Sequence, residues 1–290
     1  MTREEFQTLL SRGRILLDGA TGSNLMKAGM PKGVCTEAWV LEHPEPLRNL
    51  QRAYVEAGSQ IIYAATFSAN RYSLARYGRE KDVRELNERL VELSQKAAGG
   101  KALVAGDMTT TGTALEPQGT MEYNLLFDIY AEQAEILASA GADLLVIETM
   151  LGVDETTVAL EAARSVCDLP VLCSMTVQAD GSLYFGGFCT DAVQPLTELG
   201  ASAVGINCSL GPEQLTAIVR NMKAEKGAPL LVKPNAGMPE LTDTGEAVYP
   251  MGAEEFAEHM GTLIEAGADI IGGCCGTTPE FIRLLKEKYL

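Results

Sequence analysis

Histidine is scarce, with two residues in 290, His43 and His259. One falls in an early loop and the other inside a helical stretch, so a two-histidine hydrolase site is not supported. Long uncharged apolar runs are missing, which excludes a membrane-spanning helix of the usual ~20 residues. The opening MTREEFQTLLSRGR is charged and has no apolar signal core, so a cytoplasmic protein is expected. No run of Lys or Arg interrupts a formal net charge of −16, and nucleic acid phosphates would be repelled. The acidity reads as solubility. Low-complexity segments and long linkers are lacking, and one domain over residues 1–290 is expected. No G-x-G-x-x-G opens a helix after the first strand. DGATGSNL at 18–25 comes nearest but lacks the spacing.

The seven cysteines are an odd number and widely spaced. In a cytoplasmic chain thiols stay reduced, so a disulfide framework is not expected. Cys35, Cys167 and Cys189 read as inert buried thiols and Cys173 as strand core. Cys208, Cys274 and Cys275 need another account.

What is present is alternation. Short apolar, β-branched runs recur at 14–20, 60–67, 102–108, 143–149, 170–177, 203–208, 230–235 and 269–274. Each precedes a loop and a stretch of helical period. The stretch 122–140 shows it well: Tyr123, Leu126, Phe127, Tyr130, Ala134 and Leu137 share a face, with Asp128, Glu132 and Glu135 elsewhere. Other helices are predicted at 46–57, 83–98, 154–166, 192–199, 213–225, 253–266 and 279–288. Four helices end on a near-identical phrase whose glycines, Gly58, Gly141, Gly200 and Gly267, suit a left-handed cap before a buried strand. Eight strand–helix units in this order predict a (β/α)8 TIM barrel, an α/β fold, over a doubly wound open sheet.

Barrel active sites lie at the C-terminal strand ends. The polar residues predicted there are Asp18, Thr66, Asp107, Glu148, Asn207, Cys208, Lys233, Asn235, Cys274 and Cys275. Cysteines ending strands six and eight face each other across the mouth. Three thiolates favour zinc and leave a fourth position open for an exchanging ligand, although three small buried thiols would fit the same pattern. Neighbouring strand residues point to opposite faces, so Cys274 and Cys275 share an ion only where the backbone leaves strand geometry. Gly272, Gly273 and Gly276 allow that departure. Asn235 either holds the open position weakly or caps a tight turn with Gly237. Glu148 and Asp18 need cationic partners, a substrate ammonium or a Lys or Arg. The segment Gly19, Ala20, Thr21 offers backbone N–H groups to a carboxylate. Lys233 raises a rival chemistry, a Schiff-base aldolase, or is simply solvated or ion-paired.

GINCSLGP at 205–212, KPNAGMP at 233–239 and GGCCGTTPE at 272–280, with LLDGATGSNL and VIETM, resemble the homocysteine S-methyltransferase family. The likeness runs over nearly the whole chain and is nearest to the homocysteine-binding domain of cobalamin-dependent methionine synthase. It implies a TIM barrel with zinc on Cys208, Cys274 and Cys275, homocysteine sulfur in the fourth position, and transfer of a methyl group to give methionine. It also implies Glu148 and Asp18 as holders of the amino group. Departures are Ala65 where asparagine is frequent, Thr109-Thr110 where Gly-Pro is common, and Phe281 where histidine often follows the glutamate. The first two are expected to line the mouth.

The expected donor is methylcobalamin on a separate corrinoid protein or on folate and cobalamin domains of a longer enzyme, since the chain ends soon after its eighth helix. S-methylmethionine is the alternative. A betaine enzyme is less expected without a C-terminal arm. A non-catalytic subunit that presents homocysteine to a partner is the reading from another class.

Overall fold

The computed structural model describes residues 1–242 and 247–290. Eight parallel strands form one sheet in the spatial order first, eighth, seventh, sixth, fifth, fourth, third, second. They are Ile15–Leu16, Ile61–Tyr63, Leu103–Thr109, Leu144–Met150, Val171–Met175, Ala203–Cys208, Leu230–Pro234 and Ile270–Ile271. A parallel bridge from Leu17 to Ile61 closes the first strand against the second. The predicted (β/α)8 barrel is therefore the fold. Among the described residues no helix is long and apolar enough to cross a membrane.

The predicted helices fall close to place. Val83–Ala98 and Ala253–Ala266 match in full, and Pro44–Ala57 starts earlier because proline suits the first helical turn. Gly58, Gly141, Gly200 and Gly267 all take positive φ where helices hand over to strands. On Tyr123–Ser139 the inward face is Leu126, Tyr130, Ala134 and Leu137, whereas Tyr123 is exposed.

Inside the barrel, Ile15, Leu17, Ile61, Ala105, Val146 and Leu231 belong to one core. Phe6 joins them from the helix Arg3–Ser11, fully buried, and plugs the N-terminal end. That helix was not expected, nor were Gly22–Lys27, Thr36–Glu42 and Arg71–Leu74. Most are too short to display a helical period. Two of them, with the loop between, build a wall over the C-terminal mouth after the first strand. The eighth strand is shorter than predicted, although backbone hydrogen bonds from Gly272 to Val232 and from Cys274 to Pro234 carry the contact with the seventh strand on to the cysteines.

Candidate active site

Cys208 is the last residue of the sixth strand, and both it and Ser209 take φ of +58°. Two consecutive left-handed residues without glycine are strained. The turn is held by Ser209 Oγ, which accepts from the Val177 N–H at 2.8 Å and pairs with the Thr176 hydroxyl. The Leu210 N–H closes it on Cys208 O at 2.7 Å.

The vicinal pair is solved by a turn. The Thr277 N–H donates to Cys274 O at 3.1 Å, and Gly276 sits third with φ of +85°, as a type II turn requires. Cys274 and Cys275 thus leave the strand's alternation and reach one side. Gly272 and Gly273 act differently from expectation. Neither needs positive φ; a Cβ on Gly273 would stand 2.6 Å from the Thr277 side chain. Thr277 Oγ1 donates to Cys274 O at 2.8 Å and accepts from the Ala20 N–H at 3.0 Å, tying this turn to the first strand's loop.

The result brings the three predicted sulfurs together. Their Sγ atoms lie within 4.8 Å of one another, with Cys208 to Cys275 at 4.0 Å. Cys275 accepts hydrogen bonds from Cys208 and Cys274 and is held down to about 3. Cys208, hydrogen-bonded to Cys274 and Cys275, is pushed well above the usual thiol range. Three cysteine sulfurs at one point are the donor set zinc prefers. The Tyr249 hydroxyl adds a further hydrogen bond to Cys275. Its ring covers Gly276, where a Cβ would meet Tyr249 Cβ at 2.4 Å. Nothing in the spacing pointed to Tyr249. The other four cysteines are as expected, except that Cys167 is only half-buried.

A cavity of about 280 Å³ opens on these thiols, lined also by Glu148, Asp107, Lys233 and Tyr63. Glu148 is placed by a break in its own strand. Pairing of the fourth strand with the fifth shifts register between Ile147 and Met150, and Thr149 takes φ of +59°. Such a bulge re-aims a side chain. Asn207 clamps it, accepting from the Thr149 N–H at 2.8 Å and donating to Thr149 Oγ1 at 2.7 Å and to Glu148 at 3.3 Å. Burial pushes the Glu148 carboxyl up to about 8.

Asp18 is 1% exposed and lies 3.2 Å from Lys233 Nζ, while its other oxygen accepts from the Tyr63 N–H at 2.8 Å. Of the alternatives open for Asp18, pairing with lysine is the one formed, from the seventh strand. Lys233 in turn stacks over the Tyr63 ring at 4.5 Å. Burial alone would lower the Lys233 pKa, but the charges of Asp18, Glu148, Cys274 and Asp107 outweigh it and leave it raised. A Schiff base needs a neutral amine, and the contacts of Lys233 with Asp18 and the Tyr63 ring favour the protonated one.

Asn235 is 2% exposed, and its Oδ1 has no hydrogen-bond partner. Its carbonyl accepts from the Gly237 N–H at 2.9 Å, so the tight turn exists and the side chain is not used in making it. In the segment Gly19, Ala20, Thr21 the Ala20 N–H is taken by Thr277, which removes it from the expected set. Thr66 holds the Asp107 backbone and does not line the cavity. Ala65 does line it. Thr109 and Thr110 are used elsewhere, donating to Glu148 O at 2.8 Å and to Glu155 at 2.6 Å.

Comparison with known proteins settles the lineage: residues 15–289 match the homocysteine S-methyltransferase family. The chain belongs to that family. Among its members, methionine synthase of Mycobacterium leprae is 31% identical over 284 residues, which cover 92% of this chain and 23% of that protein. The S-methylmethionine–homocysteine S-methyltransferase BHMT2 of Pongo abelii is 31% identical, covering 96% of this chain and 79% of the relative. The metallated homocysteine methyltransferase MmuM from Escherichia coli superposes with a TM-score of 0.82 at 28% identity, over 98% of this chain and 99% of that one. The chain spans about a quarter of the length of the methionine synthases it matches.

Proposed function

We propose that this chain transfers a methyl group to the sulfur of homocysteine, giving methionine, with zinc held by Cys208, Cys274 and Cys275. The reading is carried by three Sγ atoms within 4.8 Å, at the wall of a cavity that also holds Glu148. Zinc, when bound there, supplies a Lewis acid that keeps a coordinated thiol deprotonated at neutral pH. Asn235 Oδ1, buried and unpartnered, would be this chain's own group to complete the zinc site before substrate arrives. Glu148 takes the substrate ammonium, with Asp18 behind it fixing Lys233. Gly19 and Thr21 line the cavity, and their N–H groups are this chain's donors for the substrate carboxylate. So oriented, the thiolate attacks the methyl carbon in line. The new carbon–sulfur bond forms as the donor's bond breaks, and the electron pair leaves with the donor.

Methylcobalamin, on a corrinoid protein or on further domains, is the first reading for the donor, supported by the likeness to methionine synthases. S-methylmethionine is the second. The carboxylates of Glu37, Asp107 and Glu148 around the cavity suit a cationic sulfonium, and BHMT2 is named for that donor. The test is a panel of methylcobalamin, S-methylmethionine and betaine with homocysteine, methionine being the readout, beside metal analysis of the wild type and Cys275→Ser. About one zinc per chain is expected, lost with activity in the variant. Methionine formed by the isolated chain removes the non-catalytic reading. No methionine from any donor, or a variant with full zinc and activity, overturns the proposal.

A further inference from the structure

Asp107 is 5% exposed, and its Oδ1 has no hydrogen-bond partner. A buried carboxylate left unpaired is costly, so its place in the fold calls for a cation. The protein supplies one nearby, Lys233, and three acids compete for it. Asp18 holds it at 3.2 Å and has the Tyr63 N–H as well. Asp107 and Glu148 remain, and both line the cavity that ends on the three cysteines. Ala105 points into the barrel core, and Asp107, two residues further along the same strand, points the same way. Glu148 reaches the same cavity through the break in its own strand. The Tyr63 hydroxyl is also buried without a partner on this wall.

We propose that Asp107 is a second anionic contact for the α-ammonium of the amino-acid thiol, sharing it with Glu148 while Asp18 is reserved for Lys233. The inference rests on homocysteine being the methyl acceptor. An ammonium has three N–H donors. Glu148, Asp107 and the Tyr63 hydroxyl provide three acceptors in one cavity wall. A thiol without the amino group offers neither acid a cation, so the site discriminates against it.

The test is titration calorimetry on the zinc-loaded chain with two probes, homocysteine and 4-mercaptobutanoate, which is homocysteine without its amino group. Wild type is expected to prefer homocysteine. Asp107→Asn keeps shape and removes charge; Asp107→Ser removes both charge and bulk. Each is expected to weaken homocysteine roughly tenfold or more, the range of a hydrogen bond to a charged group, and to leave 4-mercaptobutanoate unchanged. A residue that only supports the fold would weaken both thiols alike, and that result overturns the inference. So does an undiminished preference in both variants. Wild type that binds neither thiol overturns the functional reading, and the inference with it; wild type that keeps its preference while the variants match it sinks the inference alone.

Discussion

Glu148 owes its position to a residue that departs from its strand. Thr149 is β-branched and left-handed, a costly combination, and Asn207 meets it with two hydrogen bonds and Glu148 with a third. The acid so placed has its pKa raised by burial from 4.5 to about 8. The folded chain therefore keeps a proton that the unfolded chain has lost. Stability tied to Glu148 is full below about pH 4.5 and falls as pH rises through about 8. Melting of the chelator-treated wild type is expected to drop between pH 5 and pH 8 by more than that of Glu148→Gln. Asp18 and Asp107, both raised by burial, keep some slope in the variant. Parallel slopes for the two proteins would show that Glu148 does not titrate as described.

At the scale of elements, the mouth that carries the three cysteines depends on how closely the sixth and seventh strands approach. Gly205 lies on the sixth strand against Leu231, and a Cβ there would stand 1.8 Å from the Leu231 carbonyl oxygen. Backbone cannot swing aside as a side chain does. Gly205→Ala is expected to cost about 3 kcal/mol, the upper part of the overpacking range, and to lower zinc content because Cys208 ends the same strand. Urea unfolding and metal analysis check both; unchanged stability would mean the strands separate without penalty. The turn at Cys274 to Thr277 is tied to the first strand's loop through the hydrogen bonds of Thr277.

For the whole molecule, the two ends of the barrel divide labour. Phe6 fills the N-terminal end with apolar bulk, and the polar groups gather at the other. Phe6→Ala is expected to lower stability by about 3–5 kcal/mol, as large core truncations do. Zinc content and homocysteine affinity should hold in the folded fraction, measured at a temperature well below the melting point. A fall in affinity without loss of fold would mean that the plug supports the mouth.

Periodicity was legible because it is written in neighbours along the chain. Fully buried strands show as apolar runs, helices as stripes, and the repeated glycines mark where one gives way to the other. Those local signals determined the barrel, and the barrel's rule placed Cys208, Cys274, Cys275 and Glu148 at one mouth. The short helices that wall the cavity were not legible, since six or seven residues hold too few turns to show a stripe. Nor was the choice of partners. Whether Lys233 meets solvent, a carbonyl substrate or Asp18 depends on strands that lie 215 positions apart in the chain. Tyr63 and Tyr249 carried no sequence signal, and only the folded barrel set them beside Lys233 and the cysteine turn. Local pattern sets which way a side chain points; burial and charge balance, which exist only after closure, decide what it meets there. Asp107 stands at that boundary: its sequence position marked it as a strand end, and the folded barrel left it without a cation.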